Sequence, residues 1–197
     1  MPDRAVHYSI LLAGGLSSRM GEDKAELKIA GESFYQRALK LLKSVHSELI
    51  LVSGRESQAD AIPVPDIIPH AGPPGGLYSC LEYLRGMGKL DDSPLLLIPL
   101  DMPLLHKEAL MVLLEGVQEQ EACHFDGEVL PCVVRASENL RRHVEGLFAE
   151  SYKPGGKRSM RAILNFCNSK ALGKSLFSVE VFKNINTYQD YISMIPD

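Results

Sequence analysis

The chain has 197 residues, 45% of them hydrophobic and 23% charged, with a formal net charge of −4. That composition excludes a disordered or fibrous chain and suits a single domain, 1–197, with room for no more than a small appended lobe. The acidic balance gives no global attraction to nucleic acid or to an anionic membrane, so any anion site must be local, and no apolar run reaches the roughly 18 residues needed to span a bilayer.

The polar N-terminus, Met1 to His7, lacks the layout of a signal peptide, and a cytoplasmic location is expected. His7 to Leu12 is a short apolar run ending in Ala13-Gly14-Gly15, read as a buried strand feeding a turn. Ala38, Leu41, Leu42 and Val45 follow Phe34 at helical spacing, and Leu49 to Ser53 is a second compact β-rich run. Gly76 to Arg85 reads as a helix after a Pro/Gly turn. Leu95 to Leu100 is the strongest strand candidate, apolar on both faces as parallel strands are. Lys107 to Gln118 is the next helix. This alternation predicts an α/β fold, an open, mainly parallel Rossmann-like sheet with helices on both faces.

Downstream, Cys123 to Phe125 and Val129 to Val134 flank Asp126-Gly127, a pair favoured in tight hairpin turns. Leu140, Val144, Leu147 and Phe148 form one helical stripe, and Met160, Ile163, Leu164 and Cys167 another. Thr187 with Asp190 three residues on predicts a capped helix start. Cys80, Cys123, Cys132 and Cys167 form no C-x-x-C pair and are expected to be reduced structural thiols. The six histidines show no H-x-x-x-H spacing.

The densest chemistry lies in LAGGLSSRMGEDKAEL, residues 12–27. A strand delivers two glycines, which let backbone N–H groups approach an anion, and two hydroxyls, Arg19 and Lys24 follow. Arginine grips phosphate oxygens with a planar fork, and lysine acts as a mobile point charge. Five residues separate Gly15 from Gly21 and Lys24 comes three later, so the segment is not a Walker A loop. Nor is it the G-x-G-x-x-G of dinucleotide folds, which argues against a nicotinamide oxidoreductase. A plain strand-to-loop turn with surface cations is the competing reading.

The segment resembles the signature of the molybdenum cofactor guanylyltransferases, roughly LAGG-x-S-x-RMG-x-DKA-x-L. The resemblance extends from Leu12 to Asp190. It implies nucleotide contacts from Leu12, Ala13, Gly14, Gly15 and Lys24, with Arg19 and Lys24 acting in catalysis. Asp101, in LLLIPLDMPLL, stands where an apolar strand ends, and ligands of open α/β sheets lie beyond such ends. Pro103 is expected to keep Met102 extended and prolong the strand past the acid. Asp101 is a candidate Mg²⁺ ligand, since that ion takes one or two carboxylates plus substrate phosphates; the alternative is an acid that merely ends the strand. The DMPLL stretch resembles the family's metal-binding motif.

Asp66 with His70-Ala71-Gly72-Pro73-Pro74-Gly75-Gly76-Leu77 resembles the family's GP-x-x-GL segment, which implies a nucleotide contact from Asp66; a surface turn acid is the alternative. Ser53 falls where relatives often carry Asn. Between Lys153 and Lys174 the chain carries six cations and no acid, which suggests a second anion site or else a solvated face. The GGKRSM and F-x-NINT resemblances imply acceptor contacts from Lys157, Arg158, Asn184 and Asn186.

The expected reaction is transfer of GMP from GTP to the phosphate of molybdenum-bearing molybdopterin, with Mg²⁺ as cofactor and no covalent enzyme intermediate. Cofactor-delivery and molybdoenzyme proteins are the partners such a role would call on. A cytidylyltransferase acting on a related phosphorylated acceptor is the nearest alternative. A non-catalytic module that binds GTP or the cofactor is the alternative of a different class.

Overall fold

The computed structural model describes residues 6–14, 23–56, 60–149 and 158–194. Strand β1 (Tyr8–Leu12) leads through a small antiparallel ribbon, β2 (Lys28–Ile29) and β3 (Glu32–Ser33), into α1 (Phe34–Ser44), β4 (Leu49–Ser53) and β5 (Ile62–Val64). Helix α2 (Gly72–Gly86) returns the chain to β6 (Pro94–Pro99), and α3 (Lys107–Gly116), β7 (Ala122–Phe125) and β8 (Cys132–Arg135) follow. The described chain then forms α4 (Glu138–Gly146), α5 (Met160–Phe166), β9 (Lys170–Leu172) and α6 (Tyr188–Ile192).

Seven strands make one sheet in the order β5-β4-β1-β6-β8-β7-β9. Only β8 runs against its neighbours, pairing antiparallel with β6 and β7. The expected α/β sheet, open and mainly parallel, is therefore the one observed. The chain winds outward from β1 to β4 and β5, then crosses to the other side of β1 to place β6. The strand order reverses between β1 and β6, and the crevice beyond their carboxyl ends is where such sheets bind ligands.

The sheet is covered on both faces because successive strand residues point opposite ways. Tyr8, Ile10 and Leu12 of β1 join Leu95 and Leu97 of β6 in a core with buried residues of α2, α4 and α5. Leu11, Leu96 and Ile98 join Leu39 and Leu42 of α1 and Leu110 and Leu113 of α3 on the other face. Leu95, Leu96 and Leu97 are wholly buried, each contributing roughly 1.5–3 kcal/mol by leaving water.

Helix α1 starts at a reciprocal capping box. The Gln36 backbone N–H donates to Ser33 Oγ at 3.2 Å, and the Ser33 N–H donates to Gln36 Oε1 at 3.0 Å. Its buried face is Phe34, Tyr35, Leu39 and Leu42. The expected stripe through Ala38 and Leu41 is rotated: those two are only partly buried. The Gly/Pro cluster is not a turn ahead of α2 but its first turns, with Pro73 and Pro74 where amides have no intrahelical acceptor. A Cβ on Gly76 would collide with Ser53 Oγ and stand 3.0 Å from Leu12 Cδ2. Gly76 thereby lets the helix approach the ends of β1 and β4.

Two further expectations change. Strand β6 ends at Pro99, and Leu100 and Asp101 already lie in a turn, so the strand is not prolonged past the acid. The segment between β7 and β8 is six residues, 126–131, not a two-residue turn. Glu128 N–H donates to Phe125 C=O at 2.9 Å across Gly127, whose φ is +80°, and Asp126 N–H is drawn to Leu172 C=O at 2.9 Å. The capped start of α6 is as expected: Asp190 N–H donates to Thr187 Oγ1 and Thr187 N–H to Asp190 Oδ2.

All four cysteines are free, and burial raises each thiol above its ordinary range, Cys167 to about 11. Among the described residues no helix is long and apolar enough to cross a membrane.

Candidate functional site

Four neighbouring strands, β5, β4, β1 and β6, finish level. Leu12 is paired with Ser53 on one side and Pro99 on the other, and Ser53 with Val64. The ladder runs one step further, with Ala13 N–H donating to Ser53 C=O at 3.2 Å, Gly54 N–H to Val64 C=O at 3.3 Å and Leu100 N–H to Leu12 C=O at 3.2 Å. Ala13-Gly14, Gly54-Arg55, Pro65-Asp66 and Leu100-Asp101 therefore emerge side by side. The parallel pairing places Gly14, Asp66 and Asp101, candidates from three separate segments, along one rim.

On the β1–β4–β5 side lies an open cleft of about 620 Å³, lined by Leu12, Gly14, Ser53, Arg55, Asp66 and Gly72 among others. Its floor is close-packed backbone. A Cβ on Gly54 would fall 2.6 Å from the Cα of Gly14, and one on Gly14 would stand 3.3 Å from Asp66 Oδ2. Asp66 is anchored rather than loose, since Ser53 Oγ donates to its Oδ1 at 2.9 Å and the following Ile67 N–H donates to Ser79 Oγ at 3.0 Å. Ser53 is thus spent on orienting Asp66.

Arg55, which sequence reasoning did not single out, closes one wall of the cleft. Its guanidinium pairs with Asp23 Oδ2 at 2.5 Å and Glu26 Oε1 at 3.1 Å, and lies 5.7 Å from the Tyr35 ring centroid. Asp23 also caps the short turn Lys24–Glu26 by accepting from Ala25 N–H at 3.0 Å. Burial works to raise the Asp23 carboxyl, but the Ala25 amide and Arg55 outweigh it and hold it below its ordinary range. The turn that carries Lys24 is thereby fastened to the wall of the cleft. No periodicity signals this, because the two segments are 32 positions apart.

On the β1–β6 side, Lys24 Nζ stands 3.9 Å from Asp101 Oδ2, with both side chains largely shielded. Lys24 also donates to Asn186 Oδ1 at 3.0 Å. The main chain ties the same three segments together, since Ile185 N–H donates to Asp101 C=O at 2.8 Å. Desolvation raises the Asp101 carboxyl above its ordinary value, opposed by the charge of Lys24. Asp101 Oδ1 is buried, and no described residue donates to it. An unmet carboxylate oxygen just past the carboxyl end of β6 suits a hard divalent cation, which takes few protein ligands when substrate phosphates complete its shell. Among the described residues no cluster of three or more metal-binding side chains accompanies it.

The residues proposed from sequence are thus distributed as follows. Lys24 bonds Asn186 and stands 3.9 Å from Asp101, while Leu12, Gly14 and Asp66 line the adjoining cleft and Ala13 bridges β1 to β4. Asn184 is exposed beside Ile185. Arg158 is 5.7 Å from the Phe148 ring centroid, against the α4 side of the molecule. Lys174 is drawn to Glu128 at 2.9 Å, so part of the basic run is neutralised locally. Gly15, Arg19 and Lys157 lie outside the described residues.

Residues 9–170 match the family model described as the MobA-like NTP transferase domain. The chain is 30% identical over 186 residues to a molybdenum cofactor guanylyltransferase of Xanthomonas euvesicatoria pv. vesicatoria, covering 94% of this chain and 93% of the relative. It is also 30% identical to a probable molybdenum cofactor guanylyltransferase of Bacillus cereus, covering 95% of each. Among solved structures, molybdopterin-guanine dinucleotide biosynthesis protein A of Archaeoglobus fulgidus superposes with a TM-score of 0.72 at 19% identity, covering 95% of this chain and 96% of that one. The 4-diphosphocytidyl-2C-methyl-D-erythritol synthase of Anaerococcus prevotii gives 0.69 at 12% identity, covering 97% and 95%. A family model that spans most of the chain and relatives that match nearly its whole length show that it belongs to the MobA-like NTP transferase family of nucleotidyltransferases.

Proposed function

We propose that this protein transfers GMP from GTP to the phosphate of molybdenum-bearing molybdopterin, with pyrophosphate as the leaving group. The observation that carries the reading is the convergence of Lys24 and Asp101, 3.9 Å apart, at the crevice between β1 and β6. The guanylyltransferase relatives, which match nearly the whole length of the chain, support guanine and the pterin acceptor. A cytidylyl reading rests on fold likeness alone, at 12% identity.

An oxygen of the acceptor phosphate attacks the α-phosphorus, the bond to the β-phosphate breaks, and its electron pair leaves with pyrophosphate. The attacking oxygen is already ionised at neutral pH, so no dedicated base is required. The nucleoside occupies the cleft beside Gly14, Asp66 and Arg55, where the absence of a Cβ at Gly14 lets ligand and backbone come close. Asp101 would hold Mg²⁺ through the oxygen that no described residue meets. That ion, when bound, neutralises phosphate charge during in-line displacement. Lys24 supplies the fixed positive charge on the leaving side, and Arg19 is assigned the same task from the sequence. Positioning and electrostatics provide the catalysis.

The test is label transfer from α-labelled GTP to purified molybdenum-loaded molybdopterin in the presence of Mg²⁺. Labelled dinucleotide and stoichiometric pyrophosphate are expected with GTP and not with CTP. Binding of GTP without pyrophosphate release would favour the non-catalytic module, and preference for CTP the cytidylyl reading.

A further inference from the structure

Asn186 lies beyond the segment matched by the family model, which ends at residue 170, yet its side chain meets Lys24. An ammonium group only donates, so the contact from Lys24 Nζ to Asn186 Oδ1 at 3.0 Å commits the amide oxygen to that lysine. The amide is not there by chance of a loose tail. Its own backbone N–H donates to Asp190 Oδ2 at 3.0 Å within the cap of α6. The preceding residue, Ile185, is wholly buried and bonded to the carbonyl oxygen of Asp101. One stretch of chain therefore grips the acid through its main chain and the lysine through its side chain.

The distances decide what this grip does. Lys24 Nζ is within hydrogen-bond reach of Asn186 but stops at 3.9 Å from Asp101 Oδ2, outside it. A lysine free to close would form a charge-assisted contact of about 2.8 Å with that carboxylate and occupy an oxygen a cation needs. A neutral amide holds the ammonium without adding a competing negative charge.

We propose that Asn186 is a positioning residue: it holds the Lys24 ammonium short of Asp101 and so keeps that carboxylate open to a divalent cation. The role rests on the metal assignment of Asp101. It differs from a contact to the acceptor, because it acts through Lys24 and is expressed before any acceptor binds.

The experiment is titration of Mn²⁺ into the enzyme with GTP and no acceptor, followed by electron paramagnetic resonance. It compares the natural protein, Asn186→Ala, Lys24→Ala, the double variant and Asp101→Asn. Asn186→Ala keeps the backbone bond to Asp190, and its thermal melt is expected to match the natural protein. It should weaken Mn²⁺ binding about tenfold, the size of one hydrogen bond to a charged group. The same substitution should have no effect once Lys24 is alanine, the coupling of a contacting pair. Unchanged affinity in Asn186→Ala, or equal loss in both backgrounds, overturns the positioning role while leaving the metal assignment standing. Natural affinity in Asp101→Asn overturns the metal assignment itself, and the positioning role with it.

Discussion

Leu100 N–H donates to Leu12 C=O at 3.2 Å, one ladder step beyond the last paired residues of β1 and β6. That bond fixes how the loop after Leu12 and the acid after Leu100 face each other. The metal-site reading of Asp101 depends on this register, which a slip of one residue would destroy by turning the carboxylate to the other side of the sheet.

Asp101→Asn should lower the rate of pyrophosphate release on the order of 10²-fold or more, the scale for losing a preorganised electrostatic contact. The same change should raise thermal stability at neutral pH. Burial raises the Asp101 carboxyl above its ordinary 3.8, so the native state favours the protonated acid and ionisation costs stability once pH exceeds that value. The gain in melting temperature should therefore be full near neutrality and shrink as pH falls through the carboxylate range toward 3.8. Melts of both proteins between about pH 4 and pH 8 check the sign.

Arg55→Ala should raise the KM for GTP about tenfold with a smaller change in kcat. Arg55 lines the cleft and steadies Asp23, whereas the Ala25 bond that caps the turn survives its loss. A tenfold change is what one charged hydrogen-bonded contact supplies. Steady-state kinetics with saturating acceptor measures it, and an equal fall in kcat would place Arg55 in the chemical step.

Two glycines of α2 should respond in opposite directions. Gly76→Ala drives a methyl into Ser53 and Leu12 and should cost about 1–3 kcal/mol. Gly86→Ala meets nothing within 4 Å and should stabilise by about 0.5–1 kcal/mol. Urea unfolding of the pair checks whether the tight helix-to-strand approach is real.

Arg141 is buried between α4 and α2, where its guanidinium meets Glu82 at 2.6 Å, Glu138 at 2.9 Å and Glu145 at 3.2 Å. Arg141→Ala should cost about 2–3 kcal/mol, because it removes the buried bridge between α4 and α2 and leaves the shielded Glu82 with Arg85 alone. Arg142→Ala, on the exposed side of the same helix, should stay within about 0.5 kcal/mol. Comparable losses in the two would contradict the buried-network account.

Much of this was legible in the residues themselves. The runs ending at Leu12 and Ser53 and the leucines of β6 are apolar on both faces, which marks central parallel strands, and Thr187 with Asp190 announces a helix cap. Strands β2, β3, β5 and β9 were not legible. Each is two or three residues long, and Pro63 sits within β5, where only an edge position tolerates it. Helix α2 was misplaced at its start because glycine and proline read as a turn, although proline suits a first helical turn. At the site, Asp101 and Lys24 stood out as charges beside strand ends and glycines. The Arg55–Asp23 tie and the Asn186–Lys24 bond did not, since contacts 32 and 162 positions apart follow from strand order rather than from any local pattern.

The most direct test is a crystal structure of the enzyme with GTP and Mn²⁺, with the ion located by its anomalous scattering. The account predicts a peak within coordination distance of both the Asp101 carboxylate and a GTP phosphate oxygen, with Lys24 beside the phosphates. A peak held by the phosphates while the Asp101 carboxylate faces elsewhere would contradict it.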